Sequence, residues 1–122
     1  MEKILRVCHV NDYARYIGAP ELHPLVSVIH YDELEHCRHS LNSYDVYAMF
    51  IGDEELEDLS YGQLQYVLHR HALMCVSPGQ IGGKMDMGAE IHTKGWALLF
   101  DTELLPRYGI RASYVWLYLF FL

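Results

Sequence analysis

The sequence predicts a mainly β domain, an antiparallel barrel or sandwich with short flanking helices. Short apolar runs rich in branched and aromatic residues recur along the chain, with turn residues between them. One of these runs, residues 61–68, alternates apolar and polar side chains with the period of a half-buried antiparallel strand. Because 122 residues suit one domain, we assign residues 1–122 to a single domain.

Each element follows from a local pattern. Residues 11–17 predict a short helix that Asn11 or Asp12 caps and that Gly18 and Pro20 end. A second short helix is predicted near Glu103, with Asp101 or Thr102 as its cap. Strands are predicted at the apolar runs, which are residues 23–31, 44–51, 61–68, 72–76 and 96–100.

The segments between these runs are predicted to be loops and turns. Residues 32–42 are polar, and residues 53–58 form an acidic hairpin connection. Residues 77–79 carry the turn sequence Ser-Pro-Gly, and the glycines that follow, at positions 82, 83 and 88, are expected to keep that stretch loose.

The composition describes an acidic globular protein. Hydrophobic residues make up 52% and charged residues 20%, which excludes a disordered chain. The formal net charge is −7, and an acidic surface repels phosphate backbones, so we expect no nucleic-acid binding through this chain alone. No apolar run approaches the roughly 20 residues that span a bilayer, so no membrane partner is expected.

The three cysteines favour a reducing compartment. Their number is odd, and the first residues, MEKILRVCHVNDY, do not have the pattern of a signal segment. We therefore expect a cytoplasmic protein without a disulfide framework.

Two clusters contain histidine together with other residue types that bind metals, but neither is predicted to be a metal site. His69 and His71 with Cys75 lie where a hairpin turn is expected, so the rings would face solvent. The second cluster lies in one polar loop without a rigid scaffold, and consists of Glu33, Glu35, His36, Cys37 and His39. No nucleophile elbow, phosphate-binding glycine loop or Cys-x-x-Cys motif is present, so we expect neither an enzyme nor a cofactor.

Aromatic residues on the predicted strands either fill the core, which the pattern favours, or line a ligand cavity. They are Tyr44, Tyr47, Phe50, Tyr61, Tyr66, Trp96 and Phe100. The alternation predicts that Leu64, Tyr66 and Leu68 face inward, together with Tyr47 or its neighbours Val46 and Ala48. The candidate ligand-binding residues are His30, Tyr47, Tyr66 and Trp96. Because no arginine cluster is available for phosphates, we expect an uncharged ligand such as a neutral sugar.

Several stretches together resemble the N-terminal half of AraC-family transcriptional regulators, in particular the Bacteroides-type group. They are HPLVSVI at 23–29, VYAMFI at 46–51, LSYGQLQY at 59–66, VSPGQ at 76–80 and KGWALLFDTELL at 94–105. The resemblance extends from about residue 9 to residue 105, and its last stretch is the most specific.

The resemblance implies a cupin-like sensor and dimerisation domain that binds a small-molecule effector and forms a homodimer. In this family a separate C-terminal half with helix-turn-helix motifs binds DNA, and we expect this chain to lack that half. The alternatives are a stand-alone cupin-like metal protein or small enzyme, and a dimerisation module whose barrel is filled by side chains.

The match ends after residue 105, and residues 106–122 are atypical of the family. The run YVWLYLFFL at residues 114–122 has no polar face. Because an exposed run of this kind promotes aggregation, we expect it to be buried against the barrel or a second chain.

Overall fold

The computed structural model describes residues 4–88 and 90–104 and is mainly β. The strands are β1 (Ile4–Val7), β2 (Val26–His30), β3 (Cys37–Arg38), β4 (Leu41–Tyr44), β5 (Tyr47–Gly52), β6 (Leu56–Tyr61), β7 (Leu64–Leu68), β8 (Leu73–Val76), β9 (Ile81–Gly83), β10 (Glu90–Ile91) and β11 (Gly95–Phe100). One α-helix, α1 (Val10–Ile17), and two short 3-10 helices at Tyr31–Glu33 and Thr102–Leu104 accompany them.

The strands form three hydrogen-bonded sheets. The first has the order β1-β4-β9-β6-β7, the second has the order β2-β11-β5-β8, and β3 pairs with β10 alone. Every pairing is antiparallel except that of β1 with β4. Within residues 4–88 and 90–104 the strands therefore form several sheets and no closed barrel, in contrast to the small cupin-like antiparallel β-barrel expected from the resemblance.

The core lies between the two large sheets and is closed at one side by α1. Tyr44 of the first sheet and Phe50 of the second approach edge to face, with ring centroids 6.3 Å apart. Leu99, in the middle of the second sheet, is fully buried. The helix contributes Tyr13, whose ring meets Phe50 at a centroid distance of 6.4 Å. Helix and sheets thus share one hydrophobic core.

Both predicted helices are confirmed, although the caps differ in detail. The first begins at Val10, one residue earlier than expected, because Asp12 accepts hydrogen bonds from the backbone N–H groups of Cys8 and His9. It ends at Gly18, which adopts a left-handed φ of 78°. The second is a single 3-10 turn, in which Asp101 Oδ1 accepts from the N–H of Glu103 at 2.9 Å.

The predicted strands are confirmed in shortened form, as β2, β5, β7, β8 and β11. The interpretation of residues 32–42 as a loop was wrong, because Cys37–Arg38 and Leu41–Asn42 belong to strands. The glycine-containing stretch was not loose throughout either, since Ile81–Gly83 pairs with both β4 and β6.

The inward face predicted for β7 holds at one end of the strand only. Leu68 is buried, whereas Leu64 is 71% exposed. Leu64 follows the turn at Gly62, on the edge strand of the first sheet.

The expected burial of residues 114–122 lies outside the described residues. Within the described part, no helix combines the length and the hydrophobicity that crossing a bilayer requires.

Candidate functional site

A cavity of about 340 Å³ lies between the two large sheets. Its walls come from strands of both sheets, from α1 and from the β3-β10 pair. The volume is at the lower end of the range of small-molecule pockets, roughly 300–1,000 Å³. The cavity therefore suits a small ligand that several elements of the fold surround.

Aromatic rings and a few hydrogen-bonding groups form the inner wall. The hydroxyl groups of Tyr13 and Tyr31 are hydrogen-bonded to each other at 2.8 Å. Asn42 Nδ2 donates to the hydroxyl oxygen of Tyr44 at 2.8 Å. The ring of Phe50 lies next to the rings of Tyr13 and Tyr44. This mixture of flat apolar surfaces and fixed polar tips is typical of sites for small, partly polar molecules.

Two buried polar atoms on this wall have no hydrogen-bond partner among the described residues. They are Asn42 Oδ1 and Ser40 Oγ. Asn42 is only 3% exposed, and its amide oxygen loses hydration without regaining a protein donor. Leaving a buried polar atom unpaired costs about 1–3 kcal/mol, so a ligand hydroxyl or amine that donates here would recover that free energy.

The titratable groups of the inner wall are held in their uncharged forms. Burial raises the pKa of the Tyr13 and Tyr31 hydroxyls well above their ordinary value, and burial also raises the pKa of the Cys37 thiol. Burial, and to a smaller extent the nearby Lys84 ammonium, lowers the pKa of His39. At neutral pH the inner wall therefore carries no net charge, which favours an uncharged ligand.

Charged side chains also line the cavity; of its three cations, Lys84 lies near His39, and the other two lie close to carboxylates. Arg38 and Asp86 form an ion pair at 2.6 Å, and Lys94 lies 3.9 Å from Glu54. The hydrogen bond from the Gly88 N–H, together with Arg38, lowers the pKa of Asp86. Such exposed pairs stabilise the fold little, and they leave few unpaired charges to select a charged ligand.

The structure places the four candidate ligand-binding residues at different sites. Trp96 touches the edge of the cavity, but its ring lies on the face of β11 opposite the buried Ala97 and Leu99 and is 46% exposed. His30 stacks on Trp96, with ring centroids 3.9 Å apart, but does not line the cavity. Tyr47 lies on the outer face of β5 and stacks on Phe100 at 5.1 Å, while its neighbours Val46 and Ala48 are buried. For Tyr66 the structure describes the backbone, which pairs with Leu59. Their ligand-binding roles stay predictions.

The first histidine cluster lies at the surface, whereas the second is divided, because Cys37 and His39 line the cavity and His36 is exposed. His69 and His71 lie at the turn that the sequence predicts, where their ring nitrogens are 3.3 and 3.8 Å from the carboxylates of Glu55 and Asp53. His36 pairs with Glu90 at 3.0 Å. Among residues 4–88 and 90–104, no group of three or more His, Cys, Asp or Glu side chains is arranged to hold a metal ion.

Sequence reasoning missed the polar half of the inner wall. Tyr44 and Phe50 were among the aromatics expected in the core or a cavity, and both line it. Asn42 and Ser40 were assigned to a loop, and Tyr31 was not singled out. A possible signal was the alternation of Leu41, Asn42, Ser43 and Tyr44, which places Asn42 and Tyr44 on one face of a strand.

The two cavity tyrosines predict a steep loss of stability in alkali. Below pH 10 the hydroxyls of Tyr13 and Tyr31 are protonated in both the folded and the unfolded chain. Above pH 10 only the unfolded chain releases these protons, because folding raises the pKa of each hydroxyl. The free energy of unfolding should then fall by about 1.4 kcal/mol per pH unit for each tyrosine. Urea unfolding between pH 9 and 11 measures this slope, and Tyr31→Phe should make it shallower by about 1.4 kcal/mol per pH unit. Ionisation of all ten tyrosines near pH 10 with an unchanged near-ultraviolet circular dichroism spectrum would contradict the prediction.

Searches of family models, curated proteins and solved structures found no match to this chain.

Proposed function

We propose that this chain is the effector-sensing and dimerisation domain of a bacterial transcriptional regulator of the AraC type, with the cavity between the two large sheets as its effector site. The observation that carries the ligand-binding part is the unpartnered amide oxygen of Asn42 on the wall of an aromatic cavity. The regulator part rests on the sequence resemblance over residues 9–105, and the fold expected with it is cupin-like.

The chemistry of the cavity supports a small uncharged effector that carries hydroxyl groups, such as a neutral sugar. Aromatic rings offer flat faces for the apolar side of such a molecule. Asn42 Oδ1 accepts a hydrogen bond, and the Ser40 hydroxyl can donate or accept one. A phosphorylated or strongly anionic metabolite fits less well, because the inner wall is uncharged and Arg38 is already paired with Asp86.

Dimerisation and the absence of DNA binding by this chain alone belong to the same proposal. Light scattering should report a homodimer. The chain should show no salt-dependent retention on promoter DNA, because its net charge of −7 opposes contact with phosphates. Specific retention or a footprint by this chain would contradict the assignment.

The effector proposal is tested by thermal-shift screening against neutral sugars, polyols and small aromatic metabolites, with sugar phosphates as the charged counterparts. We expect a hit among the neutral compounds that Asn42→Leu weakens, because the buried amide of Asn42 lines the cavity. Leu22→Ala is the matched control, since Leu22 is 83% exposed and does not line the cavity. A hit that Asn42→Leu leaves unchanged would place the ligand elsewhere, and a screen without hits would favour a filled dimerisation module.

The alternative from the sequence, a stand-alone cupin-like metal protein or small enzyme, has its own test. Elemental analysis of the purified chain should give well below one transition metal per chain. About one bound metal per chain that His71→Ala removes would favour the alternative over the proposed regulator.

A further inference from the structure

The sheet β2-β11-β5-β8 is apolar on both of its faces. Ile29, Phe50 and Leu99 are among the buried residues on the face that meets the core. The other face, here called the outer face, is defined by the residues that alternate with these. They are Val26, Val28, His30, Tyr47, Met49, Ile51, Leu73, Cys75, Trp96, Leu98 and Phe100. Of these side chains, only that of His30 is not of a hydrophobic type.

The strand register joins these residues into one continuous patch. In one row Trp96 lies between His30 and Ile51, and Leu73 is next to Ile51. The exposed fraction is 52% for Val28, 46% for Trp96, 45% for Leu73 and 39% for Ile51. An antiparallel sheet with one solvated face normally carries polar side chains on that face, so the outer face has the composition of a covered surface.

We propose that residues 114–122 of the same chain pack on the outer face. This inference does not depend on the proposed function. Residues 105–122 follow Leu104 and lie outside the described residues, and the segment YVWLYLFFL at 114–122 contains no charged residue. Both surfaces are apolar, and joining them removes both from water at once.

Chain continuity brings the two surfaces within reach. β11 is one of the two central strands of this sheet, and the described chain ends four residues after it, at Leu104. Residues 105–113 can extend by about 30 Å, whereas the four strands span only about 15 Å at 4.8 Å per spacing. The linker is therefore long enough to place residues 114–122 anywhere on the outer face.

The size of the outer face favours this occupant over a second copy of the chain. Four strands of about five residues present a projected area of about 300 Å², which a nine-residue segment can cover, whereas a second copy would need contacts beyond this sheet to bury the roughly 800 Å² of accessible surface per partner of a standard interface. A tethered segment needs less area, because its effective concentration at the face is in the millimolar range.

Cysteine cross-linking in the full chain tests the proposal. Cys75 lies on the outer face, Cys37 is buried, and Cys8 is exposed on the first sheet's side of the molecule. Cysteines are placed one at a time at Val115, Leu117, Leu119 and Phe121 in a Cys8→Ser background and oxidised at low protein concentration. We expect at least one of these cysteines to form an intrachain disulfide with Cys75. In the control, which carries Cys75→Ser and retains Cys8, the same introduced cysteine should form a disulfide with Cys8 about tenfold more slowly.

Each other outcome contradicts the proposal. Disulfide-linked dimers through Cys75 would assign the outer face to a second copy. Equal rates toward Cys75 and Cys8 would mean that the segment has no preferred surface, and the absence of any Cys75 product would mean that it does not lie on this face. The reactivity of Cys75 toward a thiol reagent is a second measurement. In the Cys8→Ser chain this reaction should be at least about tenfold slower than in the same chain with Leu117→Glu and Leu119→Glu, because the two charges should keep the segment off the outer face.

Discussion

Replacing Gly95 by alanine is expected to lower the free energy of unfolding by about 4 kcal/mol, a large part of the stability of a small domain. Gly95 begins β11 with a φ of +135°, a conformation that side chains rarely adopt. A Cβ at this position would lie 2.3 Å from the carbonyl oxygen of Ile51 and 2.8 Å from Cα of Gly52. Because both neighbours are backbone atoms of the paired strand β5, the strands must move apart, which adds to the conformational cost.

Gly62→Ala is the matched control for this prediction. Gly62 also has a positive φ, of 61°, but a Cβ there meets nothing within 4 Å. Its cost should therefore be the conformational cost alone, about 1 kcal/mol. Urea unfolding of the two variants measures the difference, and equal losses would mean that the close contact between β11 and β5 is absent in solution.

Gly95 also affects the entrance to the cavity. Its N–H donates to Asp32 Oδ1 at 2.8 Å, and this bond ties β11 to the 3-10 helix that contains Tyr31. Trp96, the next residue, lies on the cavity lining, and Lys94 precedes it there. Displacement of this strand end should weaken effector binding together with the stability, whereas Gly62→Ala should leave binding unchanged.

The strands that sequence reasoning found are those that carry their own signal. β11 and β5 are continuous runs of mostly apolar residues, and a charged residue follows each of them, Asp101 after β11 and Asp53 after β5. α1 was found because Gly18 and the acidic first turn mark its ends. In each case the information lies within about ten consecutive residues.

The elements that sequence reasoning missed depend on partners distant in the chain. β9 contains Gly82 and Gly83, which predict a loop when read locally. In the fold Gly83 is required because a Cβ there would lie 2.3 Å from the carbonyl oxygen of Ser40. The glycine thus permits a close strand pairing that no local pattern reports.

The same limit applies to the candidate site. Asn42 enters the cavity wall because β4 pairs with β1 on one side and β9 on the other, which fixes the side of the sheet that its amide faces. The alternation of residues 41–44 puts Asn42 and Tyr44 on one face of a strand, but a polar residue in a polar segment does not show that this face is buried. Tyr47 illustrates the opposite case, because alternation with the buried Val46 and Ala48 sends its ring to the outer face.

Replacing Asn42 by leucine is expected to weaken effector binding by tenfold to a hundredfold while leaving the stability within about 1 kcal/mol of the parent. The amide of Asn42 is buried, and its oxygen has no partner among the described residues. Leucine has a similar volume and removes that unpaired oxygen, which offsets the loss of the hydrogen bond to the Tyr44 hydroxyl. A bound ligand that donates to the amide oxygen, however, would lose its hydrogen bond and leave its own donor unpaired.

Ser27→Ala is the matched control for Asn42→Leu. Ser27 Oγ is likewise buried without a partner among the described residues, but Ser27 does not line the cavity. Both substitutions therefore remove an unpaired buried polar atom from the core, and only the one at position 42 changes the cavity wall. Calorimetric titration with the best neutral compound from the thermal-shift screen should show weaker binding for Asn42→Leu and parental binding for Ser27→Ala. Parental affinity in Asn42→Leu would show that the ligand does not contact this amide, and equal weakening in both variants would point to a general change in the core rather than to a direct hydrogen bond.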